Sequence, residues 1–416
     1  MFGASLGAAA DWPDRPGAPD RPDRPDRPAL VLRGLAKSYG NVAAVDGVNL
    51  EVRQGEFITL LGPSGSGKTT TLRMIAGFLR QSAGTIEIDG VDMSHVPPYR
   101  RDVGMIFQNY ALFPHMTAAQ NIAFPLEMRQ AARSEINAQV AEALALVKLD
   151  GLGDRYPRQL SGGQQQRIAF ARAVVFNPRL LLMDEPLGAL DKKLREALQL
   201  EVMHISRQLG ATVIYVTHDQ EEALVMSDRI AIFNKGQIEQ LGRGDDLYDH
   251  PASLFVADFI GESNILRGRF ERDGGGAESG SGSGGDSGSS SDSGSSSTAW
   301  ISRDGWRWRV GAAQAERAGL VNGMPAALIV RPERLRIVGA AGAGIAMDPE
   351  VNAVEAVVRD ALYLGSMRRY ELALANGEVV KVRNQVGGGE AVWQPGDPVR
   401  LVWSAEDAVL VPDPGD

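Results

Sequence analysis

Gly62-Pro63-Ser64-Gly65-Ser66-Gly67-Lys68-Thr69 gathers three glycines, a lysine and several hydroxyls within eight residues, directly after the apolar run Phe57–Leu61. Glycines at these spacings let backbone N–H groups turn inward around an anion, and a helix opening behind the loop adds the positive end of its dipole. The spacing is that of a P-loop, which cradles nucleotide phosphates. A helical pattern follows in Thr70, Leu72, Ile75 and Ala76. Lys68 is expected to reach the β- and γ-phosphates of ATP, with the Thr69 hydroxyl on Mg²⁺ and Thr70 completing the phosphate-binding turn.

A second group of acids stands farther along. Leu180-Leu181-Leu182-Met183 is an unbroken apolar run ending in Asp184-Glu185. A strand buried on both faces reads this way, and acids at its C-terminal end stand where α/β sheets bind ligands. Asp184 is expected to hold the Mg²⁺ shell, and Glu185 to polarise the attacking water.

Leu160-Ser161-Gly162-Gly163-Gln164-Gln165-Gln166-Arg167 is the third feature. Ser161 and Gln164 have the spacing of a capping box, opening a helix that runs to about Phe176, before Asn177-Pro178. Two glycines in the first turn weaken that helix by up to roughly 2 kcal/mol relative to Ala. Close backbone approach by an anion would explain their presence.

With this set the sequence resembles the ABC-transporter ATPase family, whose signature is LSGGQ, and the resemblance spans residues 30 to 416. It implies that two subunits sandwich two ATPs head to tail. Ser161, Gly162, Gly163 and Gln164 of one subunit would then meet the nucleotide held by Gly62–Thr69 of the other. It further implies that Tyr39 stacks on adenine, that Gln108 senses Mg²⁺ and nucleophile and links to the membrane subunits, that Asp191 lies in a loop crossing the dimer interface, and that His218 contacts the γ-phosphate. Gly188 departs from the family pattern, which usually has Ser before Ala-Leu-Asp.

The elements that must position these residues are visible in outline. Between Leu30 and Gly242, apolar strand-like runs alternate with helical patterns, an α/β signature. Residues 109–160 look mostly helical and would form an inserted subdomain. The expected organisation is a Pro/Arg/Asp-rich tail over 1–28, an ABC ATPase domain over 29–262, and a strand-rich domain over 263–416. Residues 274–297 are Gly or Ser at 20 of 24 positions, a composition that buries nothing. Strand-like segments flank them, so this stretch is expected to enlarge a surface hairpin. Asn376-Gly377 signals a type I′ hairpin between Tyr370–Leu374 and Glu378–Val382.

Val330-Arg331-Pro332-Glu333, Tyr363-Leu364-Gly365-Ser366 and Asn376-Gly377 make the C-terminal part similar to the TOBE-type, OB-like all-β barrel of importer ATPases. The segments 255–264 and 399–403 resemble spermidine/putrescine importers. Iron(III), sulfate and sugar importers remain alternatives, and a non-transport ABC ATPase is a more distant one. One P-loop and one signature per chain imply a homodimer. The resemblance adds two integral-membrane permease subunits, an extracytoplasmic substrate-binding protein as indirect partner, and a peripheral place on the cytoplasmic face of the membrane. A net charge of −9 argues against nucleic acid as a partner, and the absence of cysteine excludes disulfides and thiolate metal sites.

Overall fold

The computed structural model describes residues 27–188, 192–272, 298–339, 351–387, 391–413 and 415. The expected tail up to residue 26, the Gly/Ser stretch and the Ala189-Leu190-Asp191 segment lie outside them. The chain divides into two units between Gly244 and Asp245. The expected boundary, at 262/263, lies 18 residues farther on.

In the first unit the elements run β1 (Leu30–Tyr39), β2 (Val42–Val52), β3 (Phe57–Leu61), α1 (Lys68–Ile75), β4 (Ala83–Ile88), β5 (Val91–Asp92), β6 (Val103–Ile106), α2 (Ala118–Met128), α3 (Arg133–Leu146) and α4 (Gly162–Val174). They continue with β7 (Leu180–Asp184), α5 (Lys192–Gln208), β8 (Thr212–Thr217), α6 (Gln220–Met226), β9 (Arg229–Asn234) and β10 (Gln237–Gly242). A six-stranded sheet in the order β10-β9-β3-β8-β7-β6 forms the middle layer. Its strands are parallel from β9 to β6, and β10 alone runs antiparallel.

Strand periodicity divides this sheet between two cores. Leu180 and Leu182 of β7, with Ile214 and Val216 of β8, face one side and pack with α1 and with Leu30, Leu32 and Leu35 of β1. Leu181, Met183, Val213 and Tyr215 face the other side and pack with α2, α3, α4 and α5. Both faces are apolar because both are covered, which is why these strands read as continuous hydrophobic runs. The early residues depart from simple α/β alternation. β2-β1-β4-β5 form a separate antiparallel sheet that covers the α1 side of the central layer.

The second unit begins with α7 (Gly244–Asp249) and α8 (Leu254–Phe259), followed by β11 (Asn264–Arg272), β12 (Thr298–Ser302), β13 (Arg307–Arg309), α9 (Ala312–Arg317) and β14 (Pro325–Val330). It ends with β15 (Arg336–Gly339), β16 (Val351–Tyr363), β17 (Met367–Leu374), β18 (Val379–Gln385), β19 (Pro398–Ser404) and β20 (Ala408–Pro412). Two five-stranded antiparallel sheets, β13-β12-β11-β14-β20 and β15-β19-β16-β17-β18, share one core. Trp300, Trp308, Tyr370 and Trp403 lie within it, with Trp308 edge-on to Trp403 at 5.0 Å. β11 and β12 pair from Gly268↔Ser302 to Arg272↔Thr298, a hairpin around the Gly/Ser stretch.

Within the expected 263–416 the domain is built of strands, with one short helix, α9, between β13 and β14. One detail corrects the sequence reading. The β17–β18 turn is not a two-residue type I′ loop. Leu374 N–H bonds Glu378 O and Gly377 N–H bonds Leu374 O, so three residues make the turn. Only Gly377 among them is left-handed, at φ 87°, and a type I′ turn needs positive φ at both central positions.

Candidate functional site

Four parallel strands deliver their C-terminal ends to one edge of the central sheet. β3 leads into Gly62–Thr69, β6 into Gln108, β7 into Asp184-Glu185 and β8 into His218. Adjacent registers keep these ends level: Leu61 pairs with Thr217, Asp184 with Val216, and Ile106 with Met183. The convergence follows from strand direction, and ligand sites in open α/β sheets lie at such an edge.

The phosphate loop is built so that the start of α1 is left open. Gly67, the residue before the helix, has φ 104° and offers no side-chain cap. A side chain there would be strained, and a Cβ would meet Ala44 O at 2.5 Å. At Gly62 a Cβ would meet Phe233 O at 2.3 Å. By contrast, Thr117 and Ser161 cap α2 and α4 with their hydroxyls. An α-helix leaves its first amides without intrahelical partners, so an uncapped start behind a glycine loop fits an anion. Pro63, Ser64 and Gly65 are exposed on the rim, Ser66 and Lys68 are buried, and Thr70 is half-buried in the first turn.

Lys68 Nζ donates to Gly62 O at 2.7 Å and Pro63 O at 2.9 Å. Burial holds its pKa below the usual ammonium value, while Glu185 and Asp184 pull the other way. The Thr69 hydroxyl donates to Asp184 Oδ1 at 3.0 Å. Burial raises the Asp184 pKa, against the lowering effects of that bond, Arg73 and Lys68. A hydroxyl and a carboxylate held together are hard oxygen donors of the kind Mg²⁺ takes. The donor set therefore fits the metal.

Glu185 has a left-handed backbone, φ 45°, with its N–H bonded to Val216 O at 3.0 Å. For a non-glycine residue this conformation costs on the order of 1–3 kcal/mol. It turns the chain sharply off β7, and Glu185 Oε1 lies 3.3 Å from His218 Nδ1. Gln108 is exposed in the turn after β6. Tyr39 ends β1 and is 53% exposed, with Lys37 Nζ over its ring at 5.2 Å from the centroid.

Ser161 accepts from Gln164 N–H at 3.3 Å, and Gln164 Oε1 accepts from Ser161 N–H at 2.9 Å. The capping box read from sequence is present. Gly162 is exposed and Gly163 buried in the first turn of α4. This helix packs on α2, α3 and β6, whereas α1 packs on β2, β7 and β8. Asp191 lies outside the described residues.

An ABC transporter family profile matches residues 45–188, and a TOBE domain profile matches residues 328–411. The chain is 44% identical over 397 residues to a protein of Thermobifida fusca named "Spermidine/putrescine import ATP-binding protein PotA", covering 92% of this chain and 94% of the relative. A Rubrobacter xylanophilus protein of the same name is 44% identical over 383 residues, 92% of this chain and 93% of its own. This chain belongs to the ABC transporter family. A Pseudomonas aeruginosa relative, named "Spermidine/putrescine import ATP-binding protein PotA 2", is 42% identical and covered over 98% of its length. As an ABC ATPase with a C-terminal TOBE domain, the chain binds ATP, and its enzymatic activity is ATP hydrolysis coupled to transport.

Residues that hold this ABC site in shape were invisible in the sequence. Asn121, fully buried in α2, accepts from Phe113 N–H and donates to the carbonyls of Phe113, Met116 and Thr117. Arg172 of α4 donates to Tyr110 O and Ala111 O, whose residues have φ 58° and 46°. Together they fix the loop that carries Gln108. Nothing local marks them, because their partners are backbone carbonyls reached across the fold.

Proposed function

We propose that this chain is the ATP-hydrolysing subunit of an importer for the polyamines spermidine and putrescine. The convergence of Lys68, Thr69, Asp184, Glu185 and His218 on one sheet edge carries the catalytic reading. The curated relatives named above, matched over more than 90% of both chains, support the solute.

In this reading the open start of α1 and the Gly62–Gly67 amides bind the triphosphate, and Lys68 turns its ammonium from the loop carbonyls to the outer phosphates. Thr69, Asp184 and Gln108 would hold Mg²⁺, which would supply neutralisation of phosphate charge. Glu185 orients the attacking water and accepts its hydrogen bond, with His218 beside it. Tyr39 stacks on the adenine. Ser161, Gly162, Gly163 and Gln164 act on the nucleotide of a second copy, and Asp191 belongs to the crossing loop, so the working unit is a homodimer. Two permease subunits and an extracytoplasmic substrate-binding protein complete the importer. No described helix is long and apolar enough to cross a membrane. The chain would sit on the cytoplasmic face, held by the permeases.

A strain lacking this chain, with no redundant polyamine system, should lose high-affinity uptake of radiolabelled spermidine or putrescine and keep maltose and sulfate uptake. Wild type should restore uptake. Glu185→Gln should not, because losing a positioned acid–base group costs about 10²–10⁴-fold in rate. Normal polyamine uptake in the deletion strain would reject the solute. Near wild-type phosphate release by Glu185→Gln would reject the role of Glu185.

A further inference from the structure

His218 sits in a turn whose two sides both reach Glu222, one through its carboxylate and the other through its backbone N–H. Thr217, at the end of β8, donates its hydroxyl to Glu222 Oε2 at 2.7 Å and accepts from Asp219 N–H at 3.0 Å. That hydroxyl bridges across His218, joining the residue before it to the residue after it. Glu222 Oε2 also accepts from the Tyr215 hydroxyl at 2.7 Å. On the other side Asp219 Oδ1 caps α6 through the N–H groups of Glu221 and Glu222, at 2.9 and 3.3 Å. Arg195 of α5 lies 3.2 Å from Asp219 Oδ2 and 3.9 Å from Glu222 Oε1.

Glu222 is 3% exposed and Tyr215 is fully buried, so this network is expensive to desolvate. Its outward result is a half-exposed imidazole 3.3 Å from Glu185. A hydroxyl with one proton can donate in only one direction. Glu222 takes that proton, which leaves the lone pairs of Thr217 facing the Asp219 N–H. The carboxylate therefore sets the direction of the bond that closes the turn.

We propose that Glu222 is a positioning residue for His218, acting through the Thr217 hydroxyl to hold the turn that presents the imidazole to Glu185. The inference rests on the assignment of His218 to the hydrolytic site. That assignment gives Thr217 and Glu222, 2% and 3% exposed, no role of their own.

The test is a cycle of variants assayed for ATP hydrolysis in the assembled transporter. Thr217→Val keeps the shape and removes the bridge. It should lower kcat about tenfold with KM for ATP held within about twofold, the pattern of a misplaced group rather than a lost binding contact. Thr217→Ser should restore kcat. His218→Ala should be slower still, and adding Thr217→Val to it should cost nothing further, because the bridge acts only through the imidazole. Should Thr217→Val fail to fold, Glu222→Gln and Glu222→Ala give the same comparison. The Gln oxygen can still accept both hydroxyls, so only Ala should slow turnover. Wild-type kcat in Thr217→Val, or losses that multiply in the double variant, would overturn the positioning role while leaving the site intact. Wild-type kcat in His218→Ala would instead overturn the assignment of His218, and this inference with it.

Discussion

Asp184 is an acid kept where its charge is unwelcome. Burial pushes its carboxyl above the usual range, and the Thr69 hydroxyl offsets this only in part. The penalty is useful only when a cation shares the site. Asp184→Asn should therefore remove Mg²⁺-dependent hydrolysis and, in chelator, raise Tm by about 2–4 °C, as about 1 kcal/mol does for a domain of this size. The sign follows from linkage. The folded pKa exceeds the unfolded one, so below the unfolded value both states are protonated and the two proteins should melt alike. The gap should open as pH rises through that value and be complete above the folded one. Thermal melts across that range decide it, and a lower Tm for the variant would contradict it. At this scale the chemistry was legible wherever function demands a residue type at fixed spacing, as in Gly62–Thr69 and Asp184-Glu185. Asn121, Arg172 and Glu222 were not legible, because each is defined by what it meets across the fold.

Strands buried on both faces announced themselves. Phe57–Leu61 is β3 as read, and the apolar run before Asp184-Glu185 is β7. The β17–β18 turn did not, because Asn-Gly also suits a three-residue loop in which Asn376 accepts from Glu378 N–H and only Gly377 is left-handed. α4 raises a different question. Its capping box is self-sufficient, so the glycines that weaken its first turn answer to something beyond the helix. Gly163→Asp or Ser161→Arg should abolish hydrolysis while leaving nucleotide affinity of the isolated subunit nearly unchanged. A mixed dimer pairing Lys68→Ala with Gly163→Asp should keep one working composite site. Collapse of nucleotide affinity in the single subunit would place the signature on its own nucleotide and refute the trans arrangement.

Across the molecule, the ties that set the division before Asp245 have one side chain at their centre. Arg331, 5% exposed, donates to Tyr248 O at 2.8 Å and Ala257 O at 2.9 Å, and its guanidinium lies 4.0 Å from the Tyr248 ring centroid. Tyr248 in turn donates its hydroxyl to Glu333, and Glu262 takes Lys381 and Arg383 at 2.9 and 2.6 Å. Residues 245–262 are thus bound to the strands that follow, although the sequence reading places them with the ATPase domain. A fragment of residues 245–416 should melt in one cooperative transition. A fragment of residues 263–416 should be less stable by about 3–6 kcal/mol, since each lost hydrogen bond to a buried charge costs about 1.5–3 kcal/mol. Equal melting of the two by circular dichroism would show that the arginine is not what fixes the boundary. The same side chain constrains heredity. A recombination event that trades C-terminal modules between cassettes can succeed at the seam beside Gly244. A crossover eighteen residues later would seat the donor's arginine on the recipient's residues 245–262, where backbone carbonyls recur but the ring of Tyr248 need not.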